Sequence, residues 1–324
     1  MIKIAHLADI HFRGLSRHAE YREIFEEFFR QCDENRPDHI VVAGDIVHSK
    51  THGISPELVD MLAWWFKSLA SKAPTHIILG NHDGLVTNKD RQDAISPVIT
   101  ALNDPNLFLY KDTGVYETDD GLCFCVFSCF DEENWKNLAP IPGKINIALY
   151  HGAVRGSAVE SDWQIEGEVE TDIFSAYDFV LLGDIHKRQY LNEAHTIAYP
   201  GSTIQQNYGE SPEKGYLLWE IEDVTNYSSR FIPLPNKHPF VTLEWDSAER
   251  KNIPDGFIPH GARVRVKHPP SVSRAEINQL KSVLIESLGA SEVVTRLLKP
   301  ESEDSVVTID ENVLDLRDPQ VLLT

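Results

Sequence analysis

The stretch His76-Ile77-Ile78-Leu79-Gly80-Asn81-His82-Asp83 passes from an apolar, strand-forming run straight into an amide, an imidazole and a carboxylate. The same transition recurs at Ile4-Ala5-His6-Leu7-Ala8 into Asp9-Ile10-His11, and at His39-Ile40-Val41-Val42-Ala43 into Gly44-Asp45. It appears again at Ile145-Asn146-Ile147-Ala148-Leu149-Tyr150 into His151, and at Phe179-Val180-Leu181-Leu182 into Gly183-Asp184-Ile185-His186. A buried strand that ends in a metal-ligating residue delivers it to the carboxyl edge of a sheet, where open α/β sheets place their sites. Taken singly, each cluster reads as turn chemistry, because Asp and His tolerate unusual backbone angles and cap the following element. Together, in one order, they imply a shared pocket with more ligands than a single metal needs. His6, His39 and His76 lie inside the strands and are assigned to packing or hydrogen bonding.

The donors are carboxylates, an amide oxygen and imidazoles, with no thiolate. That set suits Mn²⁺, Fe²⁺, Zn²⁺ or Mg²⁺ rather than a structural zinc site built from cysteines. Two such ions bridged by one carboxylate and a water are the usual apparatus for displacing a leaving group from a phosphate ester. The residues therefore point to metal-assisted phosphoester hydrolysis.

In this order, D-x-H, G-D, G-N-H-D, H and G-x-x-H are similar to the motifs of the calcineurin-like metallophosphoesterases, from Asp9 to His186. Within that superfamily the chain resembles the SbcD-type nuclease subunit of the double-strand-break repair complex. His48 follows Asp45 in Gly44-Asp45-Ile46-Val47-His48-Ser49, Tyr199-Pro200-Gly201-Ser202 follows the last motif, and a capping-type segment begins near Pro239. The resemblance implies an α/β fold: a four-layer metallophosphoesterase β-sandwich flanked by helices over residues 1–235. A small α+β capping domain and an acidic tail would occupy 236–324. It also implies a metal-dependent DNA exonuclease or endonuclease, working in repair or recombination with an SbcC-type ATPase. In that family, helices further along engage the ATPase; here the chain stops at Thr324, and such helices are not evident in it.

Carried over by position, Asp9, His11, Asp45 and His186 hold a first metal, and Asp45 bridges to a second held also by Asn81, His151 and Asp184. His82 faces the phosphate and stabilises the transition state or protonates the leaving oxygen, oriented by Asp83. His48 assists on the substrate. The family usually reads G-H-x-H where this chain reads Gly183-Asp184-Ile185-His186. Aspartate remains a competent ligand, and an oxygen-rich second site favours Mn²⁺, with Mg²⁺ as the alternative.

The formal net charge of −20 is awkward for an enzyme that holds DNA through its phosphates. Locally, however, the loops carry cations: Arg13, Lys50, Lys89 with Arg91, Arg155, and Lys187 with Arg188, expected to rim the pocket and meet substrate. The acidic excess collects in 160–172 and 301–318, read as solvated surface. No leader and no apolar stretch of membrane-spanning length is evident, so a soluble cytoplasmic protein is expected. Cys32, Cys123, Cys125 and Cys129 are expected to be reduced and packed.

Helices are predicted over 17–32, with Tyr21, Ile24, Phe25, Phe28 and Phe29 on one stripe, and over 56–69, with Leu58, Leu62, Trp65 and Phe66. A surplus of aromatic surface on the first could serve a homodimer. Residues 107–127 read as short strands with a hairpin turn at Asp119-Asp120-Gly121, and 216–220 and 228–232 as strands completing the second sheet. Beyond Pro233, Pro235 and Pro239, strands at 240–245, 262–267 and 292–297 surround a helix over 273–288. Ser273 is its N-cap, Glu276 its capping-box partner, and Gly289 its end. The function expected is that of a dimetal nuclease acting on DNA ends. A phosphatase or nucleotide hydrolase is the enzymatic alternative, and a non-catalytic scaffold of the same fold the alternative from another class.

Overall fold

In the computed structural model, residues 1–49, 54–88, 91–167, 169–246 and 253–298 are described. The chain opens with β1 (Ile2–Leu7), α1 (His18–Asn35), β2 (His39–Ala43), α2 (Pro56–Ala70), β3 (Thr75–Ile78), α3 (Ser96–Leu102) and β4 (Leu107–Tyr110). It continues through β5 (Gly114–Glu117), β6 (Leu122–Phe127), β7 (Ile145–His151), β8 (Phe179–Gly183), β9 (Gln189–Tyr190) and β10 (Ile197–Tyr199). After β11 (Gly215–Ile221) and β12 (Tyr227–Pro233) come β13 (Phe240–Glu244), β14 (Arg263–His268), α4 (Arg274–Ser282) and β15 (Glu292–Leu297).

The first sheet has the order β12-β11-β1-β2-β3-β4, with β1 to β4 parallel. The second is β5-β6-β7-β8-β10-β9, parallel from β6 to β10. The central strands are nearly continuous apolar runs because both faces are covered. Ile4, Val41, Leu149, Leu181 and Trp219 fill the space between them. On the outer face of the first sheet, Phe25, Phe28, Leu62 and Trp65 pack from α1 and α2. The outer face of the second sheet is covered by Trp135, Val154 and Phe174, from 3-10 turns and loops. This is the α/β sandwich the motifs implied.

Some expectations need correction. The strands at 216–220 and 228–232 complete the first sheet, since β11 pairs antiparallel with β1 and β12 with β11. Tyr216 and Leu218 enter the helix-side core and Leu217, Trp219 and Ile221 the inter-sheet core, so β11 needs cover on both faces. The centre of the second sheet is parallel, because the chain returns over its outer face between strands. The hairpin turn does form, with Gly121 N–H donating to Thr118 O at 3.2 Å between β5 and β6. The stripe on α1 is buried within the chain, all five residues of it, and leaves no surplus for a dimer face.

The third sheet, β13-β14-β15, is parallel and builds its own core with α4 around Val264, Val266, Leu280 and Leu284. Ser273 caps α4 by accepting from Glu276 N–H at 3.2 Å, while the Glu276 carboxylate accepts from the Trp245 indole at 3.0 Å. Regular α-helix ends at Ser282 and a wider π turn carries the chain to Ser287. The third sheet grips the sandwich at Phe240, whose N–H and C=O both meet the Gln205 amide, at 2.8 and 3.1 Å.

The strand histidines are structural, as expected. His6 Nε2 lies 3.0 Å from Leu182 O, and His76 bridges His39 and the Tyr110 hydroxyl. Burial pushes His6 down to about 3, so its neutral form is held in the fold and its stabilising effect is present above the unfolded value of about 6.5. As pH falls from there toward 3, that contribution is lost. The stability difference between wild type and His6→Leu, from urea melts at pH 7 and 5, should therefore shift against wild type by about 1.4 kcal/mol per pH unit below 6.5. A pH-independent difference would show that His6 takes up its proton as readily in the folded chain as in the unfolded one.

Candidate metal centre

The carboxyl ends of β1, β2 and β3 from one sheet and β7 and β8 from the other meet at a single edge. Past β1 the chain stays paired with the end of β2: Asp9 N–H donates to Gly44 O at 3.1 Å and His11 N–H to Asp45 O at 2.9 Å. Asp9, His11, Asp45 and Asp184 sit at φ of 54°, 51°, 53° and 100°, in the left-handed region that curls each side chain back over the sheet edge. Across the edge the sheets approach backbone to backbone. A Cβ on Gly183 would overlap the Ala43 carbonyl, and one on Gly44, at φ 85°, would overlap the His151 ring.

Ligand atoms fall into two adjoining groups. Those of Asp9, His11 and His186 lie within 4.8 Å of one another, as do those of Asp9, Asp45 and His151. His11 Nε2 is 3.0 Å from His186 Nε2 and 3.6 Å from Asp45 Oδ2. His151 Nε2 is 3.3 Å from Asp45 Oδ1, 3.2 Å from Asn81 Oδ1 and 3.7 Å from Asp184 Oδ1. Asp45 thus presents one oxygen to each group. All seven residues expected as ligands are brought together.

Hydrogen bonds set the tautomers. His151 Nδ1 donates to Ala43 O at 2.7 Å and His186 Nδ1 to Glu210 Oε1 at 2.8 Å; both partners only accept, so each ring turns Nε2 with its lone pair into the pocket. The Nε2 of His186 lies 3.0 Å from that of His11, so both rings bring a nitrogen to the same point of the pocket. The carboxylates agree. Burial pushes Asp9 up to about 7 against the pull of His186 and His151, and burial also raises Asp184. His151 is held well above the usual imidazole range, because Asp45, Asp9 and Asp184 outweigh its burial. The three carboxylates around His151 give the pocket negative charge of the kind that divalent cations satisfy.

Residues 2–188 match the calcineurin-like phosphoesterase family. The chain belongs to that family. The family is one of phosphoester hydrolases. It is 38% identical over 257 residues to an uncharacterised protein of Acanthamoeba polyphaga mimivirus, an alignment that takes in 74% of this chain and 19% of that protein. It is 25% identical over 287 residues to the SbcD subunit of the SbcCD nuclease of Staphylococcus epidermidis, covering 76% of this chain and 73% of the relative. With the SbcD subunit of Staphylococcus saprophyticus the identity is 26% over 315 residues, covering 84% and 80%. The chain therefore spans about a fifth of the mimivirus protein's length.

In this phosphoesterase His82 is half-buried beside the ligand groups. Its Nδ1 donates to the His48 carbonyl at 2.5 Å, and its Nε2 lies 4.0 Å from Asp45 Oδ2. The orienting partner is thus the backbone of residue 48, and the role expected for Asp83 is not the one it has. Asp83 is fully buried and accepts from Ile46, Val47 and Gly80 N–H at 2.8, 2.9 and 2.9 Å, clamping the Asp45 loop to the Asn81 loop. The His48 ring joins His11 and His82 in a group whose ligand atoms lie within 4.8 Å.

The expected cationic rim is largely spoken for. Arg155 pairs with Glu170, Lys187 with Asp162, and Arg188 with Glu213 at 3.4 Å, with its guanidinium 3.8 Å over Phe231. Arg13 reaches Gln206 O at 3.5 Å. Lys50 and Lys89, like the acidic stretch 301–318, lie outside the described residues. The four cysteines are free thiols, three of them buried. Glu210 was not singled out from the sequence; an acid eight residues past Ser202 carries no local signal.

Asp83→Ala tests the clamp. It leaves three buried N–H groups without an acceptor, each worth about 1–3 kcal/mol, so the thermal midpoint of the metal-free protein should fall sharply. His82→Ala should leave that midpoint nearly unchanged. Equal, small effects would argue that Asp83 is not a clamp.

Proposed function

We propose that this phosphoesterase is a two-metal DNA nuclease of SbcD type. Residues 1–235 would carry the chemistry and 236–324 would cap the substrate track. Asp9, His11, Asp45 and His186 hold the first ion, and Asp45, Asn81, His151 and Asp184 the second. Two divalent ions there supply Lewis acidity and a nucleophilic water at neutral pH. The chain's own residues do the rest: Asp45 keeps the two ligand groups in register, and His82, fixed through Nδ1, turns Nε2 to a leaving oxygen. His48 adds a second imidazole on the same side. The observation that carries the reading is this placement of His82 beside two ligand groups sharing Asp45. The nuclease choice is supported by the SbcD relatives, one of whose alignments takes in 84% of this chain and so runs well past residue 188. Their name also suggests an SbcC-type ATPase partner.

One observation favours a smaller substrate. With Arg155, Lys187 and Arg188 paired to carboxylates and a net charge of −20, little unpaired basic charge flanks the centre among the described residues of the expected rim. Two substrates decide between the readings: end-labelled duplex and single-stranded DNA, against mononucleotide esters. Mn²⁺-dependent shortening of DNA supports the nuclease; hydrolysis of the esters alone supports a phosphatase or nucleotide hydrolase.

His82→Ala should lower turnover by about 10²–10⁴-fold while Mn²⁺ binding stays near wild type. Parallel loss of Mn²⁺ would make His82 a ligand.

The oxygen-rich second group predicts Mn²⁺ as the activating ion and weak support from Zn²⁺. Asp184→His should keep activity and shift the metal profile toward softer ions in a titration on one substrate. If Asp184→Ala titrates and cuts like wild type, Asp184 is not a ligand.

A further inference from the structure

We propose that Glu210 is a positioning residue for the first metal: it fixes the tautomer and ring orientation of His186, so that Nε2 presents its lone pair where His11, Asp9 and Asp45 converge. The inference rests on the metal-centre reading above. It does not depend on what the enzyme cleaves.

Glu210 is almost fully buried, in the loop between β10 and β11, where a carboxylate is stable only if its lone pairs are filled. They are. Oε1 accepts from His186 Nδ1 at 2.8 Å and from Asn207 Nδ2 at 3.0 Å. Oε2 accepts from Gln206 N–H at 2.9 Å and Ser202 Oγ at 3.1 Å, and lies 3.2 Å from Lys214 Nζ. Lys214 in turn pairs with Glu160 at 2.7 Å and donates to the His186 carbonyl at 2.9 Å. His186 is thus gripped at both its ring and its backbone by one small network.

A neutral imidazole can carry its proton on either ring nitrogen, and only one choice leaves Nε2 able to ligate. An acceptor fixed at Nδ1 removes the other choice, and a negative one also raises the basicity of Nε2. His151 has a neutral carbonyl in the corresponding place, Ala43 O. The two imidazoles therefore meet their ions with different support: the first group, with two imidazoles to the second group's one, receives the charged acceptor. The loop that holds Glu210 is tied to the third sheet: Gln205 Nε2 donates both to Glu210 O at 2.8 Å and to Phe240 O at 3.1 Å.

A purely structural Glu210 would organise the loop and affect metal only by loosening it, so the test is a double-mutant cycle read by metal binding. Mn²⁺ affinities of the full chain are measured by EPR of free Mn²⁺ for wild type, Glu210→Gln, His186→Ala and the double variant. In Glu210→Gln the amide cannot accept on both sides at once. One Mn²⁺ site should weaken by about 10–100-fold and the other should hold. In the His186→Ala background Glu210→Gln should add no further loss, because its effect passes through that ring. Wild-type affinity in Glu210→Gln, or a loss that persists undiminished in His186→Ala, overturns the proposal. Should Glu210→Gln fail to fold, Glu210→Asp keeps the charge beside Lys214 while withdrawing from His186, and the same two outcomes apply. A chain that binds Mn²⁺ as expected but cuts no DNA would count against the nuclease reading and leave this one standing.

Discussion

The contact on which the rest of the structure depends is the meeting of two sheets at their carboxyl ends, where the backbone of Gly183 closes on the Ala43 carbonyl and the His151 ring bridges beside it. His151, on β7 of the second sheet, donates from Nδ1 to Ala43 O, at the end of β2 in the first. Gly183 closes against the same carbonyl, and Gly44 leaves room for the His151 ring. Because the backbones touch there, ligands carried by different sheets come within bonding range of common points. A single methyl group at either glycine would push the two halves of the pocket apart.

That closeness creates an electrostatic problem of the kind that bound cations relieve. Asp9, Asp45 and Asp184 are gathered in a buried site, where burial pushes Asp9 up and the three carboxylates hold His151 above the usual imidazole range. Asp45 goes the other way. Burial alone would raise it, yet His151, His11 and His82 around it pull it far down, and it remains a carboxylate shared by both ligand groups. The clamp at Asp83 belongs to the same logic: burial, with the charge of Asp45 beside it, pushes its carboxyl up to about 7, and three backbone N–H groups hold it in place.

The third sheet bears on this centre through its grip on the sandwich. Arg263 reaches Glu20 at 2.8 Å, and Glu20 is held by Arg17, so α1 and β14 share a buried ion-pair cluster. Arg17 and Arg263 lie 5.1 and 5.0 Å from the centroid of the Phe240 ring. Rigid attachment at β13, next to the Gln205 loop, links the position of the third sheet to the surroundings of His186.

The sequence by itself determined which side chains gather at the candidate metal centre, and the two core helices. Five apolar runs each ending in a ligand, and aromatic stripes with helical spacing, are local patterns, and local patterns survive without knowledge of partners. The parallel heart of the second sheet, the placement of β11 and β12 beside β1, and the third sheet's grip on Gln205 are pairings between distant segments, which no window of residues encodes. The site divides the same way. Asp9, His11, Asp45, Asn81, His151, Asp184 and His186 were legible because chemistry and strand ends coincide in the chain. That Asp83 clamps loops, that His82 is held by a backbone carbonyl, that the rim cations are paired, and that Glu210 backs His186 was decided only in three dimensions. A carboxylate's role is set by whichever donors the fold brings to its oxygens, and here those donors come from across loops, strands and sheets.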